Sequence, residues 1–325
     1  MKRLIGMAMV LLLIGAGCAK DATTGSATTT TPAVTTTTAG ATDTTGTSTS
    51  SSAVTTTTSV TATTTVSEDE EPEWVQSIYA LREGVSYVGT CQQVFRFSFP
   101  QSEIYRVQGG YFDGKQYVVA IVHKGNDGYE TVKLLRLDTT GKVMDESESL
   151  ALDHANNITY NTTLDRWLIS HCQSPDGHYN RYSLVDPNTF TITKTADLEA
   201  PFFSMAYSPE KDRYASARWD GETIDIWDGN LNLLKTVDVE RPQSLSQGVF
   251  CDEKGIYFVR SDLNGSGSEI RIYDWEANLV RIIPFNVGGG IEPESINVVD
   301  GVVYILANDR TANSGIAYRM GFLRD

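Results

Sequence analysis

Positive charge is scarce in this chain. Lys and Arg number 26 against 41 Asp and Glu, for a formal charge of −15. No basic stripe or cluster occurs anywhere. Nucleic acid and anionic membrane surfaces are therefore excluded as partners, because both are held by clustered cations that release counterions. The acidity itself suits the solubility of an exported protein. Histidine is also sparse, with four residues and no His-x-His pair. Cysteine is limited to Cys18, Cys91, Cys172 and Cys251, whose spacings match no paired C-x-x-C zinc pattern. A metal centre is not expected, and no cofactor motif is present. A Gly-x-Ser-x-Gly nucleophile elbow is missing too; Gly265-Ser266-Gly267-Ser268 is a loop run. Long apolar runs are absent as well. The only sustained one, Leu4 to Gly17, falls short of the roughly 20 residues that span a bilayer.

That short run is informative. Lys2 and Arg3 precede it, and Gly15-Ala16-Gly17-Cys18 ends it, as in a secretory leader. Small residues before a cysteine resemble the bacterial lipobox, with Gly15 standing where Leu, Val or Ile is usual. Residues 1–17 are therefore read as a lipoprotein signal peptide and Cys18 as the lipidated N-terminus. Ordinary cleavage near Ala19 is the alternative. Loss of Lys2 and Arg3 takes the charge from −15 to −17. Residues 18–73 then form the anchor and a linker dominated by Thr and Ser. Such a composition buries too little apolar surface to offset its ordering entropy, so disorder is expected. As a coil it would span on the order of 35–40 Å. The expected address is extracytoplasmic, lipid-anchored to a bacterial cell membrane, and the expected state is monomeric.

Residues 74–325 read as an all-β domain. The cleanest stretch runs from His154 to Leu198, with strands at Ile158–Asn161, Arg166–His171, Tyr182–Asp186 and Phe190–Lys194. Repeats can be laid over one another through it. First strands carry Tyr111, Tyr160, Tyr207, Phe250 and Val298; second strands carry Tyr117, Trp167, Tyr214, Tyr257 and Tyr304. Members of the second series recur at about 43–50 residues, the period of a four-stranded propeller blade. Third strands end in Asp138, Asp186, Asp228 and Asp274. Each of these is expected to accept backbone hydrogen bonds two residues on and close a turn. The last repeat lacks a strand. A propeller must close its ring, so Val94–Phe99 or Ser86–Gly89 is expected to donate it. The fold expected is a β-propeller of five blades closed by an N-terminal strand, or of six if Trp74 to Pro100 forms most of another blade.

Residues just before each first strand should line one mouth of the central channel. They are Gln108, His154, Asn156, Asn157, Phe203, Ser204, Gln247, Glu292 and Glu294. Amides and carboxylates suit sugar hydroxyls, and an aromatic face suits the apolar side of a sugar ring. Capping of the inner strands and water binding is the plainer explanation. If the set binds a ligand, Asn157→Ala and Gln247→Ala should weaken binding with little loss of stability. A glycosidase needs opposed carboxyl groups, whereas Glu292 and Glu294 sit two apart on one strand, so no catalytic residue is assigned. His171 alternates with Ile169 on a buried strand and reads as a satisfied core histidine. Cys91, Cys172 and Cys251 read as small buried residues, and an oxidising compartment would permit one disulfide.

The string His154-Ala155-Asn156-Asn157-Ile158-Thr159-Tyr160-Asn161 resembles the "HAND-x-T-Y-N" strands of one propeller family. That family includes teichoic-acid-biosynthesis-protein-C-like and phage receptor-binding propellers. Glu294-Ser295-Ile296 followed by Val302-Val303-Tyr304-Ile305 is similar to its "E-x-I … G-x-I-Y" blade start. The resemblance covers about residues 105–320 and leaves the lipobox and linker outside. It implies a cell-surface propeller of five blades that contacts a carbohydrate or polyanionic wall polymer, and it brings no catalytic residue with it. The functional expectation is a membrane-anchored binding module for wall glycan or a protein partner. A glycoside hydrolase or another carbohydrate-active enzyme is the rival class, and a structural scaffold the third.

Overall fold

The computed structural model describes residues 74–99, 105–124, 130–172, 179–218, 221–242, 244–262 and 267–325. Cys18, the leader and the linker lie outside the described residues. So do His178, the Asp-Gly pairs at 127–128 and 176–177, and Leu263 to Gly265. The chain divides into Met1–Thr65 and Val66–Asp325, and every described residue belongs to the second unit.

The described chain is almost entirely antiparallel sheet. A short strand β1 (Trp74–Val75) and a 3-10 turn at Ile78–Ala80 lead into β2 (Tyr87–Ser98). Four-stranded fans follow. The first holds β3 (Tyr105–Phe112), β4 (Gln116–Lys124), β5 (Glu130–Asp138) and β6 (Val143–Glu146). The second holds β7 (Asn157–Asn161), β8 (Arg166–Ser170), β9 (Arg181–Val185) and β10 (Ile192–Asp197). The third holds β11 (Ser204–Ser208), β12 (Arg213–Ala217), β13 (Thr223–Asp228) and β14 (Leu233–Asp238). The fourth holds β15 (Leu245–Cys251), β16 (Ile256–Ser261), β17 (Ser268–Tyr273) and β18 (Leu279–Phe285). The fifth takes β19 (Ile291–Val299), β20 (Val302–Asp309) and β21 (Ser314–Arg324) from the C-terminus and β2 from the N-terminus. The inner strands pack in a closed cycle, β3 on β7, β7 on β11, β11 on β15, β15 on β19 and β19 on β3. This is a β-propeller.

Both N-terminal pieces offered for closure fall on β2. It pairs antiparallel with β21 from Tyr87↔Arg324 to Ser98↔Ser314, with a bulge between Gln93 and Phe95. Trp74 to Phe99 therefore completes a fan already begun and does not build another. One parallel bridge, Phe285↔Gly89, also ties β2 to β18 of the preceding fan. Closure of this kind removes the free edges that would otherwise recruit other chains.

Each seam between fans holds one apolar cluster. Trp167 and Phe190 pack on Val118, Ala120 and Leu134 between the first and second fans. Met205, Tyr214 and Trp227 meet Leu168 and Tyr182 in the next seam. Ile224 and Ile226 then face Phe258 and Tyr273, Ile270 and Ile283 face Ile296 and Ile305, and Phe95 and Phe97 face Tyr117 and Leu137. Inner and second strands read as near-continuous buried runs because both of their faces are covered; β11 is buried throughout. Outer strands such as β6 are exposed throughout.

The third-strand aspartates close turns as their spacing suggested. Asp138 Oδ1 accepts from the backbone N–H of Thr140 and Lys142, and Asp228 Oδ1 from Asn230 and Asn232. Asp274 does the same with Glu276 and Asn278, and Asp186 Oδ1 accepts from Asn188 and Thr189. One residue of each turn takes a left-handed conformation: Gly141, Phe190, Leu231 and Ala277 have φ of 84°, 55°, 67° and 65°. Cys172 and Cys251 are buried, Cys91 is half-buried, and none of the three forms a disulfide. Burial pushes the Cys91 thiol up to about 12, so these are inert packing groups.

Candidate functional site

The residues singled out from the sequence lie where the inner strands begin. Three of those strands are bulged there. Register shifts occur between Val107 and Gly110 on β3, Ser246 and Val249 on β15, and Pro293 and Ser295 on β19. A bulge re-aims the side chain it carries, and those carried here include Gln108, Gln247 and Glu294. Glycine follows two of them for a steric reason. A Cβ on Gly109 would stand 2.5 Å from the Ala155 carbonyl oxygen, and one on Gly248 would stand 2.7 Å from the Ser295 Cα. The inner strands therefore close tightly about the axis.

Asn156 and Asn157 reach across that axis. The Asn157 Nδ2 donates to the Met205 and Val249 carbonyls at 2.8 and 3.2 Å, and its Oδ1 accepts from the Val249 N–H at 3.2 Å. One carboxamide thus ties β7 to β11 and to β15, two fans away. Asn156 Nδ2 donates to the Gln247 carbonyl at 3.1 Å. The expectation that Asn157 could be truncated with little loss of stability needs correction: its polar atoms are engaged by backbone, and their loss would strand buried groups.

Gln247, Glu292 and Glu294 form a connected set. Gln247 Nε2 donates to Glu292 Oε1 at 2.8 Å, and the Arg310 guanidinium donates to Glu292 Oε2. Burial pushes the Glu294 carboxyl well above the usual carboxylate range, and the nearby Glu292 charge adds to this; Arg310 and Arg106 oppose it. Glu294 is 2% exposed. Its Oε1 is buried and has no partner in the protein. Ser204, Ser246 and Ser295, also on inner strands, each carry a buried hydroxyl without a partner. Buried polar atoms are nearly always satisfied by protein, water or ligand.

Gln108 is buried on β3, while Phe203 and His154 are half-buried at the entries to β11 and β7. The Phe203 N–H donates to the Ala217 carbonyl and the His154 N–H to the His171 carbonyl. Arg310 and Arg106 were not anticipated. Arg310 lies in the turn between β20 and β21, and nothing in that stretch signals that its side chain returns to the inner strand. The carboxyl pair does not suit glycoside hydrolysis. Its members stand two residues apart on one strand, whereas retaining or inverting chemistry needs carboxyl groups on either side of the bond.

No protein-family model matches the sequence, and no curated protein matches it. Among solved structures, the chain is similar to the tail fiber of Staphylococcus aureus phage P68, with 14% identity and a TM-score of 0.50 over 72% of this chain and 53% of that one. A protein of unknown function from Bacteroides caccae aligns with 14% identity and a TM-score of 0.42 over 58% of this chain and 69% of that one. The WD40 repeats of RRP9 align with 8% identity and a TM-score of 0.39 over 67% of this chain and 62% of that one. The chain spans about half the length of the tail fiber, and the likeness to it is one of fold alone.

Proposed function

We propose that this protein is a surface-displayed binding module, held to a bacterial membrane through a lipid on Cys18 and carried on its Thr/Ser-rich linker. Its channel mouth binds a hydroxyl-rich wall glycan. One observation carries the reading: Glu294 Oε1 and the Ser204, Ser246 and Ser295 hydroxyls are buried at the head of the inner strands without partners. Sugar hydroxyls both donate and accept, so they can satisfy a carboxyl oxygen and several serines at once. The family resemblance of the His154 to Asn161 string supports the same reading. The placement of Glu292 and Glu294 on one strand weighs against a hydrolase at this mouth.

The test is binding of the full chain to purified wall polymers and a glycan array, comparing wild type with Ser204→Ala and Ser246→Ala. Each substitution removes a hydroxyl that has no protein partner, so folding stability should hold or rise by about 1 kcal/mol. Glycan binding should weaken by roughly tenfold, the value of one lost hydrogen bond. Unchanged binding in both variants, or binding of a protein partner with no glycan bound, overturns the reading. Anchoring is tested separately: Cys18→Ser should abolish incorporation of a labelled lipid precursor, and label retained by the variant would refute it.

A further inference from the structure

His171 lies just past the end of β8, where its carbonyl accepts from the His154 N–H. As expected of a core histidine it is buried and satisfied, but its partners form a chain that ends at the surface. Nδ1 lies 2.7 Å from Asp153 Oδ2 and Nε2 lies 2.8 Å from Ser183 Oγ. Ser183 Oγ lies 2.8 Å from Thr195 Oγ1, its cross-strand partner on β10. His171 and Ser183 are buried, whereas Thr195 is exposed.

The direction of every bond follows from one end. As a carboxylate, Asp153 can only accept, so Nδ1 of the ring carries its hydrogen. In the neutral ring Nε2 is then an acceptor, and Ser183 must donate to it. The Ser183 oxygen in turn accepts from Thr195. The exposed Thr195 hydroxyl therefore directs its proton inward and its lone pairs outward, two hydrogen bonds from an oriented base. This is the order of orienting carboxylate, imidazole base and hydroxyl found in nucleophilic sites, lengthened by one serine.

The backbone holds these groups at a conformational cost. Asp153, Ala155 and Cys172 have φ of 50°, 47° and 51°, a left-handed region unfavourable for a non-glycine residue. The segment is pinned by the His154 N–H to the His171 carbonyl and the Asn156 N–H to the Ser170 carbonyl, at 3.0 and 2.9 Å. Strain of this kind persists only where the surroundings impose a geometry.

We propose that Thr195 is an activated nucleophile that accepts an acyl group from an ester. Thr195 Oγ1 bonds to the carbonyl carbon while its proton passes to Ser183 Oγ, and the Ser183 proton passes to His171 Nε2. The ester C–O bond then breaks as Ser183 Oγ gives its proton to the leaving oxygen and takes one back from His171 Nε2. The products are an acylated threonine and an alcohol, with the relay restored.

The experiment treats the full chain with p-nitrophenyl acetate and maps acetylation by peptide mass spectrometry. Thr193 is the internal control: it is exposed on the same strand, but its hydroxyl donates to the Leu184 carbonyl at 3.1 Å. Thr195 should acetylate at least roughly tenfold faster than Thr193, a modest share of the 10²–10⁴ that general-base assistance supplies. Thr195→Ser should retain the reaction. His171→Gln and Asp153→Asn, each checked for a folded thermal transition, should reduce Thr195 to the Thr193 rate. Equal rates at Thr193 and Thr195 in the wild-type chain, which needs no variant to fold, would overturn the proposal. So would a Thr195 rate unchanged in a folded His171→Gln or Asp153→Asn protein. Either result would leave the network as packing.

Discussion

Replacing Glu294 with Gln tests the electrostatics of the mouth. Glu294 is 2% exposed, and burial raises its carboxyl well above the usual range. In the unfolded chain the same group titrates near about 4.3. Between those two values the folded protein holds a proton that the unfolded protein has released. Stability is then highest below the unfolded value and falls as pH rises toward the folded one. The slope for one proton is about 1.4 kcal/mol per pH unit. The turn aspartates run the other way. The Thr140 hydroxyl and the Lys142 and Thr140 N–H groups lower Asp138, and the Asn232 side chain and N–H lower Asp228, so their contribution is lost only as pH drops below about 4. The two effects occupy different windows. Gln has the shape of the protonated acid and cannot ionise. Urea unfolding at half-unit steps from pH 4.5 to 8 should therefore show Glu294→Gln equal to wild type at the acid end. The variant should gain up to about 1.4 kcal/mol for each unit of rising pH, until the folded group itself titrates. The Glu292 charge helps to raise Glu294, so Glu292→Gln should also flatten the profile, while stranding Arg310. Parallel profiles for wild type and Glu294→Gln would show that no proton is held there, and the account of the site would fail.

Two further outcomes follow from the fold. Asn157→Ala should lower stability by about 2–4 kcal/mol in urea unfolding, because it leaves buried backbone groups of Met205 and Val249 unpaired; a change under 0.5 kcal/mol would mean water replaces the carboxamide. Deleting Trp74 to Phe99 should cost several kcal/mol, more than an ordinary point substitution, since it removes β2 from β21 and opens a seam. Deleting Ala22 to Ser67 should leave the thermal transition where it is, and equal effects from the two deletions would refute the domain boundary.

Much of the architecture is written locally. Alternation along a strand and a turn residue at its end involve neighbours in the chain, so Trp167, Tyr214 and Tyr257 could be placed in seams and Asp138, Asp186, Asp228 and Asp274 in turns before any coordinates. Period alone also called for a strand from the other end of the chain, because a fan one strand short cannot cover its outer face. The mouth was legible only as a list of polar positions. Nothing local distinguishes Asn157, whose carboxamide is fully engaged by backbone two fans away, from Ser204, whose hydroxyl is unpartnered. The bulges that turn Gln247 and Glu294 toward the axis depend on how closely neighbouring strands approach. The proton on Glu294 depends on burial and on Glu292, and Arg310 completes that set from a separate turn. Likewise Asp153 and His171 come from two connections and Ser183 and Thr195 from two strands, and only the closing of a single fan lines them up. Short-range periodicity decides which residues are buried. Which buried polar groups meet is decided by register and curvature, and these exist only once the ring has closed.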